Sequence, residues 1–242
     1  MLDVGLTPRK IKQYFSDFGL SLADVDAILI THDHTDHIKG TGILSEEYKI
    51  PVYTTEAVHE GMVRNYCMSH KVPHDLRHIL HKDEVLEMGD FRITAFGVPH
   101  DSSDCVGYKI EADGTVFCLI TDVGHVTEEM CNVVGCANYI VLEANHDVDM
   151  LNMGPYPAYL KGRIKGDNGH LSNEAGAHLI AEHAGGTLRH LWLCHLSEEN
   201  NHPELVRKTY DKVLSEYGIR AGTDFLLTVL KRQVPSEMYD LC

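Results

Sequence analysis

The sequence predicts a mixed α/β fold in a single domain. Short apolar runs typical of buried strands alternate with amphipathic segments, without a regular βαβ rhythm, a linker or an internal repeat. A chain of 242 residues is long enough to bury a substantial core. Its 43% hydrophobic and 24% charged residues are ordinary for a globular protein. We therefore expect residues 1–242 to form one α/β domain.

The first third of the chain contains two predicted strands around a polar loop. Residues 25–30 form a short apolar run, which is typical of a buried strand. Residues 38–44 are expected to start a helix or a glycine-bearing turn. Residues 51–54 predict the second strand and residues 56–70 a helix. The segment 71–82 is expected to be a mobile or helical excursion.

The remainder of the chain predicts six more strands and two helices. Asp113-Gly114 between two apolar runs is a strong hairpin signal. Ser172 is a plausible N-cap for a helix. The other predicted elements are strands at 91–96, 105–111, 116–121, 139–143, 190–194 and 225–230 and a helix at 203–217.

The most informative motif follows the first predicted strand directly. Residues 31–37 read THDHTDH and place three imidazoles and one carboxylate, those of His32, His34, Asp36 and His37, within six residues. Neutral imidazole and carboxylate suit zinc, iron or manganese better than magnesium or calcium. Four such groups on so short a loop divide more easily between two ions than bind one. The motif therefore predicts part of a two-metal site.

Three further candidate ligands stand where other predicted strands end, namely His100, Asp122 and His195. Strand ends can converge on one edge of a sheet, where sites are built on a rigid scaffold. A lone histidine at a strand end is usually structural, so each of the three is weak evidence alone. Together they would complete the ligand set of two ions.

Charge limits the partners of the chain without excluding a phosphate substrate. The net charge of -15 repels nucleic acid and anionic membranes at long range. Bound metals and the local basic run Lys161-Gly162-Arg163-Ile164-Lys165 can reverse the field locally. No apolar stretch approaches the length of a membrane span, and the seven cysteines form no CxxC pair. A cytoplasmic protein with no membrane partner is expected.

Several strings resemble one known family. Residues 31–37 resemble the signature of the metallo-β-lactamase superfamily. Residues 143–151 (EANHDVDML), 169–173 (GHLSN) and 195–201 (HLSEENN) are similar to the YycJ/WalJ group of bacterial hydrolases, which is related to tRNase Z and RNase J. The family fold is an αββα sandwich. Members carry about two more strands before the stretch that matches Leu2–Gly5, so the chain is expected to lack the first N-terminal strands.

The resemblance also implies a ligand set and a mechanism. Metal site one would comprise His32, His34 and His100, site two would comprise Asp36, His37 and His195, and Asp122 would bridge. Asp3 would support a ligand histidine. Two divalent ions are expected, zinc first and manganese or iron as alternatives. They would supply a bridging hydroxide as nucleophile and polarise the scissile phosphoryl group. His170, as general acid, Glu143, which would orient it, and Asp36 are the predicted catalytic residues.

The group has been associated with 5′-to-3′ exonuclease activity on DNA and with cell-wall regulation. A hydrolase of this kind is therefore expected, with DNA as substrate and a homodimer as a possible assembly. Two alternatives stay open. The same metals could serve hydrolysis of a thioester, a lactam or a small cyclic phosphodiester, or the chain could be a non-catalytic metal-binding regulatory protein. A redox diiron role is disfavoured, because His34 stands where that branch has a glutamate.

Overall fold

The computed structural model describes residues 1–232 and 234–241. They group into two compact units, each of which contains a β-sheet. The first unit comprises Met1–Glu84 and Asp101–Val106, and the second comprises Val85–His100 and the chain from Gly107 onward. The single domain expected from the sequence stays a prediction.

The first unit contains a three-stranded parallel sheet in the order β1-β2-β3. The strands are β1 (Ile28–Leu29), β2 (Val52–Thr54) and β3 (Arg77–Ile79). Leu2 forms a parallel bridge with Leu29, so the N-terminal segment lies against β1. The apolar run predicted at residues 25–30 thus contains β1, which lies between the N-terminal segment and β2.

Four α-helices complete the first unit in the described residues: α1 (Pro8–Asp17), α2 (Thr35–Ile38), α3 (Thr41–Tyr48) and α4 (Glu56–Arg64). Its core contains the fully buried side chains of Ile28, Ile30, Ile38 and Leu44. Two of these flank the THDHTDH loop on the strand side and one on the helix side. The loop therefore stands between two anchored segments.

The second unit contains a seven-stranded sheet in the order β10-β9-β8-β7-β6-β5-β4. Its strands are β4 (Val85–Met88), β5 (Phe91–Gly97), β6 (Val106–Ala112), β7 (Thr115–Ile120), β8 (Tyr139–Glu143), β9 (His190–Cys194) and β10 (Leu226–Val229). Strands β7 to β10 are parallel, whereas β4 and β5, and β6 and β7, are antiparallel pairs. The carboxyl ends of β7, β8 and β9 consequently lie at one edge of the sheet.

The helices of the second unit are α5 (Glu128–Cys136), α6 (Val148–Met153), α7 (Ala158–Lys165), α8 (Asn173–His183) and α9 (Pro203–Glu216). Helix α8 begins as predicted, with the Ser172 hydroxyl accepting the backbone N–H of Ala175 at 3.2 Å. Helix α9 buries Tyr210 and Leu214 completely. None of the helices in the described part of the chain has the length and apolar character that a membrane span needs.

The structure differs from the sequence-based prediction in two segments and contains further helices and strands that were not predicted. Residues 71–82 were expected to be a mobile or helical excursion; they contain a single 3₁₀ turn, His74–Leu76, followed by β3. Helix α4 ends at Arg64 rather than at residue 70. Strand β3 is short, and Ile79 is 51% exposed, so it lacks the buried alternation that marks a strand. The helices α6 and α7 are short and are separated by Gly154 and Pro157, which sequence patterns assign to loops. The elements absent from the sequence analysis are α1, α5, α6, α7 and β4.

The predicted hairpin is confirmed. Strands β6 and β7 pair antiparallel, with Ala112 opposite Thr115. The two loop residues between them, Asp113 and Gly114, have φ angles of 49° and 74°. Positive φ at both positions is what a type I′ turn requires, and glycine adopts it without strain.

Replacing Gly114 by alanine should destabilise the protein by about 1–2 kcal/mol, because an L side chain is strained in left-handed backbone. A Cβ at this position meets nothing within 4 Å, so backbone strain alone is tested. Gly162→Ala is the matched control. Its Cβ also meets nothing within 4 Å, and alanine in the helix α7 should stabilise by about 0.5–1 kcal/mol. Urea midpoints measure both, and an unchanged or higher midpoint for Gly114→Ala contradicts the turn assignment.

Candidate metal centre

The THDHTDH loop is held rigidly in the first unit. Thr31 and His32 are fully buried, and His37 is 7% exposed. The backbone N–H of Val106 donates to the Thr31 carbonyl at 3.0 Å, and His32 forms an antiparallel bridge with Cys105. These contacts fix the N-terminal end of the loop, and the backbone N–H of Val4 donates to the His37 carbonyl at 2.6 Å at its C-terminal end.

One carboxylate, that of Asp3, orients two of the imidazoles of this loop. His37 Nδ1 lies 2.7 Å from Asp3 Oδ2, and the Thr31 hydroxyl donates to the same oxygen at 2.9 Å. That hydroxyl lies 3.0 Å from His32 Nδ1. Because the hydroxyl proton points to Asp3, the oxygen accepts from His32 Nδ1–H. Both rings then carry their lone pair on Nε2, the atom that would face a metal.

His34 takes the opposite tautomer. Its Nε2 lies 3.1 Å from the backbone carbonyl oxygen of Asp101, which can only accept a hydrogen bond. Nε2 is therefore the donor, and the lone pair is on Nδ1. Asp36, two residues further on, has a side chain that is 70% exposed, with Oδ2 3.8 Å from His37 Nε2. The donor atoms of the loop thus comprise three imidazole nitrogens and one carboxylate.

In the second unit, the carboxylate of Glu143 is the centre of a buried hydrogen-bond network. Glu143, at the end of β8, is fully buried. Its Oε1 accepts from Nδ1 of His170 and Nδ1 of His195, each at 2.8 Å. Its Oε2 accepts the backbone N–H groups of Val123 at 2.8 Å and Leu171 at 3.0 Å. Four donors saturate the carboxylate, so we assign it an orienting role rather than that of a ligand.

The network keeps Glu143 ionised despite its burial. Burial alone would raise the pKa of this carboxyl group, but the hydrogen bonds from His170 and His195 lower the pKa by more. A carboxylate that accepts both Nδ1–H groups leaves the lone pair of neutral His195 on Nε2.

Asp122 and His100 complete the second cluster. Asp122 is 1% exposed, and its Oδ2 accepts from the Thr121 hydroxyl at 2.8 Å. Its Oδ1 lies 3.6 Å from His100 Nε2 and 3.4 Å from His195 Nδ1. His100 Nδ1 donates to the Gly169 carbonyl at 3.0 Å, which again leaves the lone pair on Nε2. Ligand atoms of Asp122, Glu143, His170 and His195 all lie within 4.8 Å of one another.

Three residues of the two clusters have left-handed backbone, Asp3 with φ 48°, Asp122 with φ 56° and His195 with φ 55°. This conformation is uncommon outside glycine and is found preferentially where function requires it. At each position, side-chain hydrogen bonds oppose the strain.

Comparison with known proteins assigns the family. Residues 8–195 match the family described as the beta-lactamase superfamily domain. This chain belongs to the metallo-β-lactamase superfamily. Exodeoxyribonuclease YycJ of Bacillus anthracis is 36% identical over 238 residues, which is 98% of this chain and 89% of that protein. Exodeoxyribonuclease WalJ of Streptococcus pneumoniae is 37% identical over 225 residues, which is 93% of this chain and 83% of that protein.

A solved structure confirms the metallo-β-lactamase fold class. The metallo-β-lactamase fold protein YhfI of Bacillus subtilis superposes with a TM-score of 0.66 at 20% identity, covering 95% of this chain and 83% of that one. The similarity to the YycJ/WalJ group expected from the sequence strings is confirmed as well. The chain is accordingly a metal-dependent hydrolase of the metallo-β-lactamase family.

The residues present fit divalent metal ions. In all five candidate ligand histidines, one ring nitrogen faces a hydrogen-bond acceptor, which sets the tautomer and leaves the other nitrogen for a metal. Buried Asp122 and exposed Asp36 add carboxylates. Imidazole and carboxylate together suit zinc, manganese or iron. The first unit brings together His32, His34, Asp36 and His37, and the second brings together His100, Asp122, Glu143, His170 and His195.

Several contributors to this metallo-β-lactamase site had no sequence signal. The acceptors for His34 and His100 are backbone carbonyls, of Asp101 and Gly169, and a carbonyl is present at every residue. Asn145 was also missed, although its side chain donates to the His195 carbonyl at 3.1 Å. By contrast, the expected contact between Asp3 and a histidine of the motif is present.

His146, in the loop that follows β8 and Glu143, is 2% exposed. Burial lowers the pKa of its imidazole to about 4, so the ring is neutral at physiological pH. Any contact that it makes to a substrate is therefore that of a neutral group rather than of a cation.

Asp3→Asn should weaken metal binding about 10- to 100-fold, because an amide has one acceptor oxygen, whereas the carboxylate accepts from His37 and the Thr31 hydroxyl on Oδ2 and from the Thr31 backbone N–H on Oδ1. Competition with a chelator measures the affinity. Asp113→Asn is the matched control, since Asp113 is exposed and has φ 49° against 48° for Asp3. Equal affinities in the two variants would contradict the orienting role of Asp3.

Proposed function

We propose that this chain is a two-metal phosphodiesterase that acts on nucleic acid, specifically a 5′-to-3′ exonuclease on DNA. The observation that carries the proposal is the Glu143 carboxylate, which orients both His195 and His170. One of these histidines belongs to the proposed ligand set, and the other can act on the leaving group. The names of two relatives at 36% and 37% identity support DNA as the substrate.

The proposed ligand set divides between two ions. His32, His34 and His100 would hold the first, and Asp36, His37 and His195 the second, with Asp122 shared by both. The tautomers support this division, since each histidine directs a lone pair away from its hydrogen-bond acceptor. When bound, two such ions make a water nucleophilic near neutral pH and polarise a phosphoryl oxygen. Zinc is the first candidate for these ions, with manganese and iron as alternatives.

His170 is the proposed general acid. Its Nδ1–H donates to Glu143 Oε1, and its side chain retains 18% exposure. Burial lowers the pKa of His170, but the hydrogen bond and charge of Glu143 raise it by more, so the pKa lies above the usual value. The charged ring carries a second N–H, on Nε2, which can protonate the leaving oxygen. Asp36 is the third proposed catalytic residue, and it would act through its negative charge as a ligand of the second ion.

A pair of lysines on α7 supports a phosphate-bearing substrate. Lys161 Nζ donates to the backbone carbonyl of Asn152 at 2.7 Å, and Lys165 Nζ donates to the side-chain oxygen of the same residue at 2.8 Å. Two ammonium groups thus meet at one neutral residue in a chain of net charge -15. An anion bound there would relieve their mutual repulsion, and DNA phosphates are such anions. The backbone N–H of His170 donates to the carbonyl of Ile164, next to this pair.

A substrate panel with metal-loaded protein tests the proposal. The panel comprises 5′-phosphorylated single- and double-stranded DNA labelled at either end, RNA of the same sequence, a thioester and a cyclic dinucleotide. We expect mononucleotides to be released from the 5′ end of DNA. Asp122→Ala should abolish this activity and lower the metal content.

Three outcomes would overturn parts of the proposal. Thioester or cyclic dinucleotide cleavage without DNA cleavage would replace the substrate class. No hydrolysis of any member by fully loaded protein would favour a regulatory metal-binding role. Unchanged metal content in Asp122→Ala would refute the bridging assignment. The homodimer and the cytoplasmic location expected from the sequence stay predictions.

His170→Ala should lower kcat on DNA by about 10²- to 10⁴-fold, the usual contribution of general acid–base catalysis. A nitrophenyl ester of thymidine 5′-phosphate has a leaving group that needs no proton. Its hydrolysis should fall by less than about 10-fold in the same variant, because general acid catalysis is not required.

The control for this comparison is His183→Ala, which removes an imidazole with 40% exposure from the last turn of α8. Both kcat values of this variant should match those of the unmodified protein. Equal losses on the two substrates in His170→Ala, at unchanged metal content, would indicate a structural rather than an acid role for His170.

A further inference from the structure

The first unit has an open groove of 390 Å³ beside one of the proposed metal ligands. His34 forms part of its wall, together with Arg64, Asn65, Tyr66, Ser102 and Ser103. A substrate bound at the metals would extend over neighbouring surface, and this groove is such a surface. Nothing in the proposed mechanism uses it.

Tyr66 is the most exposed large side chain in the groove. It is 92% exposed, although its neighbour in the same loop, Met68, is 1% exposed. The loop backbone is fixed by Asn65, whose side chain donates to the Asp33 carbonyl at 2.9 Å and accepts from the Cys67 backbone N–H at 2.9 Å. The ring of Tyr66 is therefore exposed on a loop whose backbone is fixed by hydrogen bonds.

Contacts of Lys71 and Gly61 also fix the position of this loop. Lys71 Nζ donates to the carbonyls of Met62 and Asn65, at 3.0 Å and 2.5 Å. A Cβ at Gly61 would collide with the carboxylate of Asp33, so α4 lies directly against the metal-binding loop. The position of Tyr66 is thus tied to that of His34.

The chemistry of the groove favours an uncharged, planar group over a phosphate. Two acidic residues, Asp33 and Asp101, and one basic residue, Arg64, line the groove, so it carries no excess of positive charge. Asp33 Oδ2 accepts from the Ser103 hydroxyl at 2.7 Å, and Arg64 Nη2 donates to the same hydroxyl at 3.3 Å. The Ser102 hydroxyl, which donates to the Asp104 carbonyl at 2.7 Å, retains lone pairs that can accept from the edge of a base, and Tyr66 offers a face.

We propose that this groove is a nucleobase subsite, in which a base of single-stranded DNA near the scissile phosphate stacks on the ring of Tyr66. Every base has a π-face, so such a platform binds without sequence preference. The inference rests on the proposed nuclease function and adds to it a strand-positioning site. It implies that the enzyme binds a DNA end whose terminal bases are unpaired.

Tyr66→Ala and Tyr66→Phe test the subsite in combination with abasic substrates. Tyr66→Ala should lower kcat/KM on single-stranded DNA roughly 5- to 150-fold, the range of one base–aromatic stack. Tyr66→Phe keeps the ring and should stay within about 2-fold of the unmodified protein. An abasic nucleotide is placed in turn at each of the first three positions from the 5′ end.

At the stacked position, the abasic nucleotide should cost the unmodified protein as much as Tyr66→Ala does. It should cost Tyr66→Ala nothing further, because the lost contact is the same. Independent, additive losses at every position, or a Tyr66→Ala variant as active as the unmodified protein, would overturn the subsite.

Affinity for a phosphorothioate single strand, measured by fluorescence anisotropy, separates this inference from the proposed function. Tyr66-dependent binding without cleavage would overturn the nuclease function and support the subsite. Cleavage that is indifferent to Tyr66 would overturn the subsite alone. A protein that neither binds nor cleaves DNA would overturn both.

Discussion

The arrangement of the second cluster depends on one buried negative charge. The Glu143 carboxylate is fully buried, and removing such a charge from water costs several kcal/mol unless donors replace the solvent. Four N–H donors do so: the imidazoles of His170 and His195 and the backbone of Val123 and Leu171. These donors follow β7, lead into α8 and follow β9. Satisfying one carboxylate therefore fixes three loops against the end of β8.

In the first unit, the orienting carboxylate is that of Asp3, which is less buried than Glu143. Asp3 orients His37 directly and His32 through the Thr31 hydroxyl, while its second oxygen accepts the Thr31 backbone N–H at 2.8 Å. Its side chain is 16% exposed, so the desolvation that opposes its charge is smaller than for Glu143. In both clusters, a carboxylate outside the proposed ligand set selects the imidazole tautomer. This is the organisation that metal sites use to direct a lone pair.

Local patterns made part of this organisation predictable. The THDHTDH loop could be recognised because it follows a buried strand. Asp122 and His195 follow β7 and β9, so the convergence of these two side chains could be inferred from strand ends. Asp101 and Gly169 contribute through backbone carbonyls, which no residue type encodes. Strand β3 was missed because its stability comes from pairing with β2 and not from its own apolar pattern. The sequence thus predicts the candidate metal ligands better than it predicts the groups that orient them.

The shared oxygen of Glu143 determines which functions can be separated by substitution. His170 and His195 donate to the same Oε1, so the charge that favours a protonated His170 also orients a proposed ligand. Glutamine at residue 143 would be no conservative replacement. The NH₂ group of its amide would face either the backbone N–H of Val123 or the N–H groups of the two imidazoles. Two buried hydrogen-bond donors would then face each other without an acceptor. The proposed acid catalysis and the proposed metal binding are therefore inseparable at Glu143, whereas His170 lies outside the proposed ligand set and can be changed alone.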